Sequence, residues 1–309
     1  MSVAAAPTRQ GMLLMAGFAA LWAAVEVIAA GAMAHLPVAQ VVWLRYVVHL
    51  VLMLVLFWPW QRSRLWRTRR PVLQVFRSLL MFAMPAGFAL SVTYGVGIPT
   101  LMTVFWSSLV LIPVFARIIA GERVPGWSWL AGLVGWTGIW LMLGSPLPTV
   151  HPSVAFPMLM AGSFSLYVVL TRLLRTERTS ANLFHSAAGV LLVLTPMMPF
   201  VWVPPTLSDL CAMALVGALG LVGLFLVDRM ASIAAVSTAA PMAALQMPIF
   251  AALLWILGSR PPSLRSLLGM AIVVAAAALA WLAAGRDRGT GAVLSAHSID
   301  PVQEPLTSR

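Results

Sequence analysis

Apolar runs of about twenty residues follow one another along most of this 309-residue chain, and this repetition constrains the fold more than any motif does. A helix rising about 1.5 Å per residue needs roughly twenty apolar residues to cross the hydrocarbon core of a bilayer. The runs fall at 11–33, 38–59, 72–94, 98–119, 127–144, 154–173, 181–203, 208–227, 232–257 and 265–284. Polar links or links holding Pro and Gly separate them. Only 9% of the residues are charged and 61% are hydrophobic, whereas a soluble domain carries about 25% charged residues. A soluble chain could not cover so much apolar surface. The expected fold class is an all-α polytopic membrane protein of about ten transmembrane helices.

The net charge of +11 does not point to nucleic acid, because the basic residues lie between apolar runs and not on one polar face. Every basic residue other than His is Arg. The lack of Lys excludes a Schiff base and a Walker-type phosphate loop. The single Cys211 excludes an internal disulfide and a multi-Cys metal site, and it reads as a small apolar helix residue. The first run could imitate a signal peptide, with Ala32-Met33-Ala34 as a cleavage site. It is too long for that and contains Glu26, so it is expected to be retained as a spanning helix.

Charge sets the orientation. With the N-terminus in the cytoplasm, the inner side holds Arg9, Arg62, Arg64, Arg67, Arg69, Arg70, Arg117, Arg123, Arg172, Arg175, Arg178, Arg229, Arg286 and Arg288. The outer links hold only Arg260 and Arg265. The positive-inside rule therefore predicts a bacterial inner-membrane, multi-pass protein with both termini cytoplasmic.

The two halves of the chain resemble each other. The fourth and fifth spans meet at Gly121-Glu122-Arg123-Val124-Pro125, and the ninth and tenth at Gly258-Ser259-Arg260-Pro261-Pro262. Leu130 and Gly132 then fall opposite Leu267 and Gly269. Five crossings per half is an odd number, so the second half enters the membrane from the other side. The expected organisation is a cytoplasmic segment 1–10, a five-helix repeat 11–144, an inverted repeat 154–284, and a disordered cytoplasmic tail 285–309, with a central cavity near mid-membrane.

Several stretches carry a family resemblance: VVWLRYVVHLVL in the second span, RRPVLQVFRSLLMF opening the third, IIAGERVPGWSWLAGLVGWTGIWLML across the fourth and fifth, and LYVVLTRLLR ending the sixth. They resemble EamA-type carriers of the drug/metabolite transporter superfamily over residues 11–284. The resemblance implies ten helices, cytoplasmic termini, a central cavity and transport without ATP. It implies a small polar cargo: an amino acid, an opine-type metallophore, riboflavin or S-adenosylmethionine, with export expected in preference to import. The sequence departs from the family pattern at Ala29-Ala30-Gly31, at Phe88-Ala89-Leu90 and at Gly258-Ser259.

Charges inside spans are the first functional candidates, because each is expensive unless paired or hydrated. Glu26 and Arg45 lie at one depth, roughly 5 Å to the outer side of the midplane. They are expected to form an ion pair or to share a polar cavity, with Arg45 receiving an anionic group and Glu26 an ammonium. A pair that merely locks two helices is the competing reading. Helical spacing adds His49 beside Arg45, Trp22 beside Glu26, Trp106 and Ser107 in the fourth span, Tyr167 in the sixth, His185 in the seventh and Gln246 in the ninth. These form the candidate substrate-binding set, which suits a zwitterion or a flat heterocycle. Met81 and Met84 are further candidates for the cavity wall, whereas Tyr94 reads as a rim aromatic.

The expected activity is secondary transport by alternating access, with no enzymatic step, cofactor or metal. The partners expected are a small-molecule substrate and the lipid bilayer, and monomer and homodimer both remain open. Two alternatives stand beside it. An intramembrane enzyme would need a convergent catalytic constellation, and neither H-E-x-x-H nor G-x-S-x-G occurs. A non-transporting assembly partner would need no cavity.

Overall fold

The computed structural model describes residues 5–145 and 151–296. The described chain is helical throughout, and nine of its helices are long and apolar enough to cross a membrane. The first three spans are α1 (Ala5–Met33), α2 (Val38–Gln61) and α3 (Pro71–Thr93). The fourth is broken into α4 (Ile98–Phe105) and α5 (Ser108–Ile119). The fifth, α6 (Gly126–Leu143), is 18 residues long, rich in Gly and Trp, and stands outside those nine as the tenth span.

The sixth span is α7 (Ala155–Leu173). The seventh joins α8 (Thr179–Leu194) to α9 (Met198–Val201) through a 3-10 turn, Thr195–Met197. The eighth is α10 (Leu207–Ile233). The ninth is broken like the fourth: α11 (Val236–Ala239), a 3-10 stretch Ala240–Leu245, and α12 (Gln246–Ile256). The last is α13 (Leu264–Ala296). The chain is thus a polytopic membrane protein, with large apolar side chains such as Val55, Val72, Leu192 and Leu279 standing exposed on its outside.

Three boundaries differ from the sequence reading. α1 begins at Ala5, inside the expected N-terminal segment. α10 runs on to Ile233, so Asp228 and Arg229 lie inside a helix and not in a link. No Gly or Pro interrupts that stretch, and the Asp228 carboxylate is satisfied by hydroxyl and amide donors, so nothing ends the helix there. α13 continues to Ala296, past the position 285 where the tail was expected to start; once a helix is nucleated, each further residue adds a hydrogen bond. The remainder of the expected tail, 297–309, lies outside the described residues.

The helices pair in a regular way. α6 packs along α13, and α2 along α8. α1 lies on α10, as α7 lies on α3. α10 touches α2, as α3 touches α8, and α1 meets α12 as α7 meets α5. Exchanging the first five spans for the last five leaves this set of neighbours unchanged. Gly121 and Gly258 end the fourth and ninth spans, both at positive φ (65° and 93°), where a side chain would be strained. α6 and α13 meet backbone to backbone: a Cβ on Gly269 would stand 2.5 Å from the Gly138 carbonyl oxygen, and one on Gly138 would stand 2.9 Å from that of Gly269.

Candidate functional site

Between the two halves lies a cavity walled by Phe18, Trp22, Phe105, Phe164 and Tyr167, with Gln246 from the start of α12 as a polar group. Met81 and Met84 complete one side. The rings pack against one another. Phe18 stands 5.2 Å from Trp22 and is stacked with Phe164 at 6.4 Å, and Phe105 stands 5.6 Å from Phe164. Gly223 of α10 backs them: a Cβ there would stand 3.5 Å from the Phe18 ring and 3.6 Å from that of Trp22. The water-accessible space is about 40 Å³, enough for a few water molecules. A metabolite therefore enters only if the helices part.

Arg45 and Glu26 flank this cavity. The Arg45 guanidinium lies 5.2 Å from the Trp22 ring centre and 4.7 Å from that of Tyr46, a geometry that attracts the cation to both faces. Glu26 faces Gln246 and lies within the electrostatic range of Arg45. Among the described residues the two charges do not touch as an ion pair, which corrects the closer of the two arrangements expected. Arg45 is turned onto the aromatic rings, and Glu26 is turned onto the Gln246 amide.

The other candidates separate into two groups. Trp22, Tyr167 and Gln246 line the cavity, as do Met81 and Met84. Trp106 is buried behind the wall at 5.3 Å from Phe105. Its Nε1, like the hydroxyls of Thr103 and Ser107, is buried without a hydrogen-bond partner among the described residues. These groups sit where the fourth span breaks. The Thr103 carbonyl, released from the helix there, accepts from Trp136 Nε1 at 2.9 Å. His49 is buried beside Tyr46, 5.7 Å between ring centres. His185 is not brought to the cavity; its Nδ1 sits 2.9 Å from the Ala181 carbonyl and its ring lies against Phe184. Tyr94 is exposed and stacked on Phe156, as a rim aromatic should be.

The sequence reading missed a second polar centre. Arg77 of α3 is fully buried. It donates to Thr171 Oγ1 at 3.1 Å, to Ser186 Oγ at 2.9 Å and to the Asn182 carbonyl. Its guanidinium lies 5.1 Å from the centre of Tyr167, a ring of the cavity wall. Asn182 in turn donates to Asp228 Oδ1 at 2.8 Å, accepts from Gln74 at 2.6 Å, and so connects the buried cation to a buried anion. Four helices, α3, α7, α8 and α10, are tied together beneath the aromatic cavity. The signal was present as the polar spacing Gln74, Arg77, Ser78 on one helical face. It was hidden by the neighbouring arginine run at 62–70. A larger, shallow cleft of about 410 Å³ opens at the ends of α2 and α8, but two of its hydroxyls are already bonded, Ser180 to Gln61 and Thr179 to Asp228.

No protein-family model matches the chain. Its sequence does match proteins of known name. The chain resembles bacterial S-adenosylmethionine uptake transporters. That of Rickettsia bellii is 27% identical over 216 residues, covering 68% of this chain and 72% of the relative. That of Rickettsia prowazekii is also 27% identical over 216 residues, 68% of this chain and 71% of the relative. A solved structure described only as "Crystal structure of protein" superposes with a TM-score of 0.75 at 19% identity, over 90% of this chain and 98% of the other. At that identity the match speaks for the shared fold alone.

Proposed function

We propose that this chain is a secondary carrier that takes up S-adenosylmethionine, or a closely similar aminoacyl nucleoside, across a bacterial inner membrane. The observation that carries the reading is the aromatic cavity flanked by one cation and one anion. A sulfonium centre is favoured against the faces of Trp22 and Tyr167. A purine stacks against rings such as Phe18 and Phe164. The amino acid end supplies a carboxylate for Arg45, which holds no carboxylate partner among the described residues, and an ammonium for Glu26 and Gln246. Trp106, His49 and Ser107 support the wall from behind, and His185 takes no part. The names of the relatives favour uptake over the export expected from the wider family.

The two halves act as inverted repeats, 11–144 and 154–284, and rocking between them opens the cavity to each side in turn. The paired helix contacts and the matching breaks in the fourth and ninth spans support this arrangement. The excess of Arg at one face supports cytoplasmic termini. The reconstituted protein tests the proposal directly. Proteoliposomes should accumulate labelled S-adenosylmethionine saturably and without nucleotide, and Arg45→Ala and Glu26→Gln should each raise KM. Normal uptake by a folded Arg45→Ala variant removes Arg45 from the site, and the lack of saturable uptake by the parent protein refutes the substrate.

A further inference from the structure

The ninth span begins under a clasp made by the other half of the chain. Glu122, in the link after α5, accepts hydrogen bonds from Val236 N at 2.9 Å, Ser237 N at 3.0 Å and Ser237 Oγ at 2.6 Å. Arg172 at the end of α7 places its Nε 3.7 Å from the same carboxylate and donates to the Ala231 carbonyl of α10 at 2.7 Å. Ser128 of α6 donates to the Ser237 carbonyl at 2.6 Å. One buried carboxylate thus holds together elements of both halves at a single face of the bundle.

The opposite face cannot build this clasp. Gly121 corresponds to Gly258, so Ser259 stands where Glu122 stands, and the carboxylate is gone. In the same register Val236 and Ser237, the first two residues of α11, fall opposite Pro99 and Thr100 near the start of α4. Pro99 has no N–H to match that of Val236, and the Thr100 hydroxyl is already engaged, accepting from Ser145 at 3.2 Å. The end of the first span, Ala29 to Ala34, contains no cation in place of Arg172. Ser259 and Ile98 are both exposed.

We infer that Glu122 is a one-sided clasp on the broken ninth span that biases the resting state of the carrier toward closure at its own face; the other face is tied through His35 to Asp209 and Gln40 to Val203, contacts that leave the broken fourth span unclasped. This rests on the carrier reading. By the arginine bias the clasped face is cytoplasmic, so the empty protein waits open to the outside. A binding-competent state that dominates the population loads substrate at its intrinsic affinity, whereas the minor state loads it more weakly. The clasp therefore favours external loading without touching the substrate.

Double electron–electron resonance in a Cys211→Ser background tests it. One label pair, Arg123→Cys with Arg229→Cys, reports the clasped face, and Ile98→Cys with Arg260→Cys reports the other. In Glu122→Ala the first pair should gain a longer component and the second a shorter one, and the external KM should rise about threefold or more as the outward population falls. Ser237→Ala, which removes only the hydroxyl donor, should shift both pairs the same way by less, and it serves if Glu122→Ala does not fold. Grafting the clasp with Pro99→Val and Ser259→Glu should move the parent distributions in the same direction. Unchanged distances in a folded Glu122→Ala or Ser237→Ala variant overturn the inference even where transport is intact. A parent protein that transports nothing removes the carrier reading instead, and the distances still judge the clasp.

Discussion

Replacing Arg77 by Met keeps most of the side-chain length and removes the charge. It deletes three hydrogen bonds that tie α3 to α7 and α8, to Thr171, Ser186 and the Asn182 carbonyl. Hydrogen bonds between helices in a membrane are worth about 0.6 kcal/mol on average and up to about 1.7, so three amount to about 2–5 kcal/mol. The substitution also leaves Asp228 without the cation that Asn182 links to it, which pushes the loss toward the upper end of that range. Reversible unfolding in mixed micelles titrated with SDS measures the change. The paired variant Arg77→Met with Asp228→Asn should lose less than the two single losses added, because the second change relieves the charge stranded by the first. A loss below about 1 kcal/mol in Arg77→Met, or strict additivity in the pair, refutes the view of Arg77 as the hub of a structural network. Preserved stability with abolished uptake makes it a substrate contact.

Three further outcomes are expected. Gly138→Ala should destabilise the fold by about 1–3 kcal/mol in the same unfolding assay, since its Cβ has no room against α13. Thr206→Ala should cost about 1 kcal/mol, because Thr206 and Asp209 bond reciprocally at the start of α10 (3.2 and 2.8 Å); an unchanged midpoint would show that the cap is idle. Trp22→Leu removes one of the two rings over Arg45, and uptake kinetics should show KM raised about 2- to 30-fold for a loss of about 0.5–2 kcal/mol, with little change in the unfolding midpoint.

The number of spans and most of their limits were legible because the apolar length that crosses a bilayer is written directly into composition. The break in the fourth span was not. The interior Pro of this span, Pro113, lies inside α5, yet α4 ends at Phe105, where no Pro stands. Trp136 from a neighbouring helix receives the freed carbonyl, and that tertiary fact leaves no mark in the local sequence. At the site, the sequence put Trp22, Tyr167 and Gln246 into one set, and the three line one cavity. It could not tell that Arg45 would turn to Trp22 and Tyr46, because an arginine near a carboxylate and near two rings has two good partners and only packing chooses. His185 failed for the opposite reason: a lone polar side chain at membrane depth can satisfy itself on its own helix backbone. Asp228 was placed in a link because a charged pair ordinarily ends an apolar run, and only Asn182 and Thr179, a long way off in sequence, explain why the helix continues.

The seam between α6 and α13 carries a mechanical consequence. Where Gly138 and Gly269 meet, main chain lies on main chain, with no flexible side chain to yield under load. Such a joint resists being pulled apart yet allows small swivelling, much as the spine of a book does. Displacements between the halves must then grow with distance from that line, so any wide gap in the bundle belongs to helices remote from the two glycines.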